Sequence, residues 1–293
     1  MALELCVLGS GSSGNSTLVR SAQGSFLIDA GFGPRVTEQR LHGTGVQIQH
    51  LRAILLTHLD SDHFNLNWFR TLVAHNIRVY CDRRKLREIT HAPEFRDLSL
   101  RLPDIAAQLL PLLTPFDPLP FEPVPGVTVH PLPLAHDSTG SHGFVLTCQS
   151  YRVGYATDLG HVPPELIEFF TDVDALLLEA NYDPEMQIHS PRPYYLKQRI
   201  MGGTGHLSNE QARAAIRAIL DRTESLRGPE RLPRHIVLLH RSRQCNCPKL
   251  VESFFEQDPR VARVLTLAHQ TTSTGWLHLR VPKILAIQAR LWD

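Results

Sequence analysis

The stretch THLDSDHF, residues 57–64, places two histidines and two aspartates within six positions, directly after the apolar run AILL. Ionisable side chains that follow a buried strand need partners, because an unpaired charge is costly to remove from water. Imidazole nitrogens and carboxylate oxygens are also the ligands that transition metals use in proteins. The stretch therefore suggests a metal site, in which Asp60 is the residue that most needs explaining.

The composition is that of an ordinary globular protein, with 293 residues, 42% hydrophobic, 20% charged and a formal net charge of +1. A near-neutral charge provides no general attraction to nucleic acid or membrane, so a polyanionic substrate would need a local site. Five scattered cysteines, an odd number, argue against a disulfide framework. There is no basic leader followed by an apolar core, and no apolar run of membrane-spanning length. We therefore expect a cytoplasmic protein without a membrane segment.

The hydrophobic pattern predicts strands in the first third of the chain and alternating helices and strands in the last third. LELCVLG, STLVRS and SFLIDAG are separated by glycine-containing turns. Ser208 and Gln211 form a capping-box pattern at the start of a long helical segment. This order predicts two sheets between helices in one domain. The proline-rich residues 92–125 predict an extended insertion over the core, with a lid near the active site as the alternative.

Polar residues follow several predicted strands, at the ends where functional side chains of layered α/β proteins converge. AILL leads to His58, VGYAT to Asp158 and IVLL to His240, while the weaker run HPLPLA leads to His136. Together with the 57–64 cluster, this is enough for two ions and a bridging carboxylate. The imidazoles favour zinc, manganese or iron over magnesium or calcium. A solvated acidic turn with unrelated histidines is the alternative. The candidate ligands are His58, Asp60, Asp62, His63, His136, Asp158 and His240.

THLDSDH resembles the T-H-x-H-x-D-H signature of the metallo-β-lactamase fold, an α/β fold with four layers (αββα). LGSGSSGNSTLV, FLIDAG, ATDLG, LLLEANYD, GGTGHLSNEQA and LLHRS resemble segments of the YycJ (WalJ) group of that fold, which is regarded as nucleic-acid phosphodiesterases or exonucleases. The resemblance runs from the first strand to about residue 245. We therefore expect a single metallo-β-lactamase-fold domain over residues 1–293, with a proline-rich insertion at about 92–125.

The resemblance implies a role for each candidate ligand. It implies two divalent transition-metal ions, zinc or manganese with iron as a further option, that bind a phosphodiester of a nucleic acid or nucleotide and activate a water. Asp62 is also the family's candidate for orienting the attacking hydroxide. The ligands of the first metal would be His58, Asp60 and His136, those of the second Asp62, His63 and His240, with Asp158 bridging.

Asp60 is where the chain departs from the signature, which has histidine at this position. A carboxylate oxygen bonds zinc at a length similar to an imidazole nitrogen, but the aspartate is shorter and adds a negative charge. This predicts a first site that favours harder ions such as manganese or iron. The alternatives are a one-metal protein, or a non-catalytic protein whose metal site is degraded.

Two further segments resemble tRNase Z-type enzymes, in which a glutamate orients a histidine that protonates the leaving oxygen. LLLEA resembles their H-E-A-T segment and supplies Glu179, while GHLSNEQA resembles their H-S-T segment and supplies His206. The implied function is a phosphodiesterase with a general-acid pair. The alternative is structural: Glu179 ends a strand and His206 precedes a helix.

Substrate contacts are less defined by the sequence. Ser12, Ser13 and Asn15 lie in the turn GSGSSGN, where successive backbone N–H groups can bind a phosphate, although a tight hairpin explains the turn equally well. No dense basic run is present, so a compact substrate such as a cyclic nucleotide, cyclic phosphate, thioester or lactone stays open, as does a homodimer. The basic residues that could contact nucleic acid are Arg192, Lys197, Arg199, Arg241 and Arg243.

Overall fold

Two seven-stranded sheets face each other in the computed structural model, which describes residues 3–279. In chain order the strands are β1 (Glu4–Gly9), β2 (Ser16–Ser21), β3 (Gly24–Ile28), β4 (Leu51–Leu55), β5 (Arg78–Asp82), β6 (Leu113–Phe116), β7 (Phe121–Val124), β8 (Val127–Leu134), β9 (Ser141–Cys148), β10 (Tyr151–Ala156), β11 (Ala175–Glu179), β12 (His235–Leu239), β13 (Leu265–Leu267) and β14 (Leu277–His278).

Each sheet combines an antiparallel part with a parallel part. The first sheet has the order β14-β1-β2-β3-β4-β5-β6, and the second has the order β13-β12-β11-β10-β9-β8-β7. β1 to β3 and β7 to β10 pair antiparallel with their chain neighbours. β3 to β6 and β10 to β13 pair in parallel, so the connections between them must cross over. The carboxyl ends of β4, β10, β11 and β12 thereby become available for a common site.

Helices cover the outer faces of both sheets. They are α1 (Pro34–Leu41), α2 (Phe69–His75), α3 (Leu86–His91), α4 (Pro93–Arg101), α5 (Pro103–Leu109), α6 (Pro164–Phe169), α7 (Pro184–Ile188), α8 (Tyr194–Met201), α9 (Asn209–Arg227), α10 (Pro248–Phe255) and α11 (Pro259–Ala262). Within residues 3–279, no helix combines the length and the apolarity that a membrane crossing requires.

The alternation of side chains along β1 shows why its sequence is apolar throughout. Leu5 and Val7 belong to the core between the two sheets, whereas Cys6 and Leu8 belong to the core between the first sheet and its helices. Because successive strand residues point to opposite faces, a strand buried on both faces reads as a continuous apolar run. A third core lies between the second sheet and α6, α9, α10 and α11. The expected αββα sandwich is confirmed.

The proline-rich segment is not extended, and that expectation is wrong. Pro93 and Pro103 occupy the first turns of α4 and α5, where a helix needs no backbone N–H donor, so both residues favour helix entry. These helices bury Phe95 and Leu98 from α4 and Leu109 from α5 against the outer face of the first sheet. The segment thus contributes to the helical layer.

The predicted start of α9 is confirmed. The Ser208 Oγ accepts a hydrogen bond from the Gln211 backbone N–H at 3.1 Å, and the Gln211 Oε1 accepts one from the Ser208 N–H at 2.9 Å. The capping box therefore fixes the point at which the chain turns from the site into a 19-residue helix.

Candidate metal centre and cleft

The loops that follow β4, β8, β10 and β12 meet in one cluster. All seven candidate ligands lie in it, and so do Glu179 and His206. Within each of four overlapping groups, the potential ligand atoms lie within 4.8 Å of one another. The groups are His58, Asp60 and His136; His58, His63 and Asp158; Asp62, His63 and His240; and Asp158, Glu179, His206 and His240.

The first group is built around an imidazole nitrogen that lacks a partner. His58 Nε2 is buried and makes no hydrogen bond to the described part of the chain, and it lies 3.9 Å from Asp60 Oδ2. Burial and the neighbouring His63 hold the pKa of His58 well below its usual value, so the ring is in the neutral form that ligates metals. His136 donates from Nδ1 to the Gly205 carbonyl at 2.9 Å, which leaves its Nε2 free to ligate.

The second group surrounds Asp62. Its Oδ2 lies 3.3 Å from His240 Nε2 and 3.8 Å from His63 Nε2. Burial opposes ionisation of Asp62, but the hydrogen bond with His240 and the charge of His63 outweigh it, and the pKa of Asp62 is lower than usual. Its side chain lines the cleft and stays partly accessible, as a group that contacts substrate or water must be.

Asp158 lies between the two groups. Its Oδ2 is 3.0 Å from His63 Nε2, and its Oδ1 is 3.6 Å from His240 Nε2 and 3.9 Å from His136 Nε2. Burial would raise its pKa, but His240 and His63 hold it well below the usual value, so this buried carboxylate is ionised. Its Oδ1 thus lies near a histidine of each group, while its Oδ2 lies near His63 of the second group.

Two residues that the sequence reasoning did not select contact the candidate ligands. Asp29 is fully buried and its Oδ2 lies 2.8 Å from His63 Nδ1, while its Oδ1 accepts from the Thr57 backbone N–H at 2.9 Å. Asn181 lies 2.9 Å from His240 Nδ1 and donates to the His240 carbonyl at 2.7 Å. Such partners fix the orientation of a ligating ring.

Several residues in and around the cluster also have an unusual backbone conformation. Within residues 3–279 only seven non-glycine residues have positive φ, and Asp29, Asp137, Asp158 and His240 are four of them, at 60°, 40°, 54° and 49°. L-residues rarely adopt this left-handed conformation, and such strain is concentrated at functional sites. Three of the four lie within two residues of the end of a strand. The unfavourable backbone conformations therefore occur at the strand ends that bring the side chains of the cluster together.

Glu179 and His206 form a tight pair at the edge of the cluster. Glu179 ends β11 and is fully buried, and its Oε1 lies 2.7 Å from His206 Nδ1. Its Oε2 accepts from the backbone N–H groups of Leu159 at 3.1 Å and Leu207 at 3.2 Å. Burial opposes protonation of His206, but Glu179 outweighs it and raises the pKa of His206 to about 9. The ring lines the cleft with a proton available to donate.

A cleft of about 360 Å³ lies over the cluster. Among the proposed substrate contacts, Ser12 lines it, whereas Ser13 donates from its Oγ to Gln270 Oε1 at 2.9 Å. Asn15 differs from the expectation because it is fully buried beneath the turn. Its Nδ2 lies 2.9 Å from His63 Nε2, and its Oδ1 accepts from the Gly11 N–H at 2.8 Å.

The basic residues divide into two classes. Arg192 and Arg199 line the cleft. Lys197 lies between them in sequence on α8, and Arg243 is exposed. Arg241 is buried and donates to the Ala268 carbonyl at 2.8 Å, so it holds the core together and is not available to a polyanion.

The donor set fits transition-metal ions. It combines imidazole nitrogens with carboxylate oxygens, which is the chemistry that zinc, manganese and iron prefer. The unpartnered nitrogen of His58 would gain the missing interaction from a cation. The carboxylates Asp158 and Asp29, which outweigh burial and raise the pKa of His63 well above its usual value, create a negative field that attracts cations.

Comparisons with known proteins agree with the geometry. The sequence profile of the beta-lactamase superfamily domain matches residues 25–226. The exodeoxyribonuclease YycJ of Bacillus anthracis is 25% identical over 259 residues, which cover 88% of this chain and 89% of that protein. The metallo-β-lactamase fold protein YhfI from Bacillus subtilis superposes with a TM-score of 0.64 at 15% identity, covering 93% of this chain and 99% of the other. The short form of human tRNase Z gives 0.61 at 15% identity, covering 95% and 100%.

Proposed function

The chain belongs to the family of the beta-lactamase superfamily domain, and from this premise we propose that it is a metal-dependent phosphodiesterase that acts on nucleic acid. The observation that carries the proposal is the contact of 2.7 Å between Glu179 and His206 beside a cluster of metal ligands. A proton donor in this position serves a reaction that expels an alkoxide, such as the cleavage of a nucleic-acid phosphodiester.

The seven clustered side chains would hold two divalent transition-metal ions. When bound, such ions supply Lewis acidity toward a phosphodiester and make water nucleophilic at neutral pH. The first site would use His58, Asp60 and His136, the second would use Asp62, His63 and His240, and Asp158 would be shared.

The side chains around the cleft have separate tasks. His206 donates its proton to the leaving oxygen, and Glu179 fixes the ring and stabilises its charged form. Asp62, which lines the cleft, accepts a hydrogen bond from the attacking water and orients it. Asp29 and Asn181 hold His63 and His240 in the orientation that ligation requires.

Nucleic acid is favoured as the substrate by the relatives. YycJ is named an exodeoxyribonuclease, and a tRNase Z is among the structures that share the fold. A compact phosphodiester such as a cyclic nucleotide is the second candidate, because a cleft of about 360 Å³ has the size of small-molecule sites.

The test is a substrate screen on the purified chain reconstituted with manganese or with zinc. Single-stranded and duplex DNA, RNA, cyclic nucleotides and bis-p-nitrophenyl phosphate should be compared, with the Asp62→Asn protein as the inactive reference. We expect hydrolysis of bis-p-nitrophenyl phosphate and of at least one nucleic acid. Fewer than one bound metal per chain after reconstitution, together with no hydrolysis of any of these, would exclude the proposed enzyme.

A further inference from the structure

The start of α8 exposes two aromatic rings beside the cleft. Tyr194 is 76% exposed and Tyr195 is 73% exposed, and they are the only largely exposed aromatic side chains within residues 3–279. Adjacent exposed rings that are flanked by polar residues form an apolar patch, and such patches mark interaction surfaces. The basic residues Arg192, Lys197 and Arg199 interleave with them in the sequence RPYYLKQR.

Helical spacing places these side chains next to residues of α8 that line the cleft. Tyr195 and Arg199 are four residues apart, so they lie on the same face of α8, one turn from each other. Arg199 lines the cleft, so Tyr195 lies one helical turn from a residue of the cleft wall. Tyr194 and Lys197 are three residues apart and lie next to each other on the adjoining face.

Arg192 is fixed in place while its charge stays uncompensated. Its guanidinium donates to Gln244 Oε1 at 3.0 Å, Gln187 Oε1 at 3.1 Å and Ser242 Oγ at 3.3 Å, and all three acceptors are neutral. Across residues 3–279, no carboxylate lies within 4.0 Å of this guanidinium, whereas that of Arg199 is paired with Asp137. A rigid cation without a counter-charge on the wall of a cleft is suited to binding a phosphate.

Lys197, which does not line the cleft, is held in a similar way. Its Nζ donates to the Ile188 carbonyl at 2.6 Å, and across residues 3–279 it forms no ion pair within 4.0 Å. The segment therefore carries two exposed rings between two cations that have no carboxylate partner within residues 3–279. An unpaired polynucleotide strand offers base faces to aromatic rings and phosphates to cations.

We propose that Arg192, Tyr194, Tyr195 and Lys197 form a surface that binds a single-stranded polynucleotide and leads it into the cleft. Arg192 contacts a phosphate next to the scissile bond, bases stack on Tyr195 and Tyr194, and Lys197 contacts a phosphate further out. Unpaired bases offer free faces to aromatic rings, whereas the bases of a duplex are stacked on one another. The proposal rests on the proposed phosphodiesterase function and narrows its substrate class to strands with an unpaired end.

The test measures binding separately from hydrolysis. In the His206→Ala background with manganese present, anisotropy of labelled dT12, rU12 and a blunt 12-base-pair DNA duplex gives the dissociation constants. We expect both single strands to bind at least about 10-fold more tightly than the duplex, because stacking contributes only to the unpaired strands. Whichever strand binds more tightly, dT12 or rU12, shows whether the surface prefers DNA or RNA.

Variants of the surface sharpen the test. Tyr194→Ala/Tyr195→Ala should weaken single-strand binding by about 10-fold or more, whereas Tyr194→Phe/Tyr195→Phe should restore it, because stacking needs the ring and not the hydroxyl. Arg192→Gln should weaken single-strand binding. It should also reduce the slope of the logarithm of the binding constant against the logarithm of salt concentration by about one, the value expected for one lost phosphate contact. Leu226→Ala, at an exposed position near the far end of α9, is the matched control and should bind like the parent.

Two results would contradict the proposed binding surface. One is single-strand binding that stays within about 2-fold of the parent in the double alanine variant, and the other is duplex binding as tight as that of dT12 and rU12. Hydrolysis of bis-p-nitrophenyl phosphate by the unsubstituted protein reports separately on the phosphodiesterase. If that hydrolysis occurs and the alanine variant binds normally, only the surface is wrong. If strand binding depends on the tyrosines but nothing is hydrolysed, only the phosphodiesterase is wrong.

Discussion

The Nδ1 atom of His206 lies 2.7 Å from Oε1 of Glu179, and the other oxygen of that carboxylate is held by two backbone N–H groups. Glu179 is buried and holds the His206 ring, which lines the cleft, so His206→Ala should remove the proposed proton donor while leaving the candidate metal ligands in place. We expect kcat/KM to fall by about 10²–10⁴-fold on a DNA substrate, whose leaving group is an alkoxide. It should fall much less on bis-p-nitrophenyl phosphate, because nitrophenolate leaves without a proton.

The comparison of the two substrates separates proton donation from a structural effect. His75→Ala, at an exposed position on α2, controls for the loss of an imidazole. Its kcat/KM should equal that of the unsubstituted protein on DNA and on bis-p-nitrophenyl phosphate. Equal losses of kcat/KM on DNA and on the aryl ester in His206→Ala would show that His206 is not the general acid.

Asp29 should matter for metal affinity although it cannot reach the cleft. It is fully buried, and its contact of 2.8 Å with His63 Nδ1 fixes the ring that presents Nε2 to the cluster. We expect Asp29→Asn to weaken metal binding by about 10–100-fold, which is typical when the carboxylate partner of a ligating histidine is lost. Competition with a fluorescent chelator measures this dissociation constant.

The matched control for Asp29 is Asp104→Asn, at an exposed position in α5. It changes the net charge equally and should leave the affinity unchanged. A metal dissociation constant in Asp29→Asn equal to that of the control would contradict the positioning role of Asp29.

Asp60 is the residue through which the proposed first metal site is tested most directly. Its Oδ2 lies 3.9 Å from His58 Nε2, and both belong to a group of ligand atoms shared with His136. We expect Asp60→Ala to lose about one metal per chain, and Asp60→His to keep two but shift preference from manganese toward zinc, since imidazole is the softer ligand. Metal analysis after dialysis with equal manganese and zinc measures both effects.

The outcome for Asp60 also bears on the idea of a degraded site. Unchanged metal content and unchanged turnover in Asp60→Ala would mean that Asp60 is not a ligand. Ser61→Ala, one position along the same loop, controls for disturbance of the loop itself.

The sequence predicted the fold because its main features are local. The apolar run of β1, the capping box of Ser208 and the dense 57–64 cluster can each be recognised within a few residues. The proline-rich segment was misjudged because proline has opposite meanings at a helix start and within a helix. Pro93 and Pro103 stand at helix starts, which is visible only once the boundaries are known.

The supporting residues of the site depend on contacts between distant segments. Asp29 meets Thr57 and His63 because β3 and β4 pair in parallel with Ile28 opposite Leu55, which brings the residues after both strands together. Asn181 meets His240 through the corresponding pairing of β11 and β12. Neither register can be read from one sequence, so an aspartate and an asparagine in ordinary-looking segments were not selected.

Metal removal should destabilise the fold through His58. The buried Nε2 of His58 has no hydrogen-bond partner within residues 3–279 and would gain its missing interaction from a cation. A metal present at about 1,000 times its dissociation constant would add about 4 kcal/mol to the free energy of unfolding. We therefore expect EDTA to lower the Tm by several degrees, and added manganese or zinc, but not magnesium, to restore it. In His58→Ala most of this metal-dependent shift should disappear, whereas His75→Ala should keep it. A Tm that EDTA leaves unchanged in the unsubstituted protein would show that the cluster does not hold a metal in the folded state.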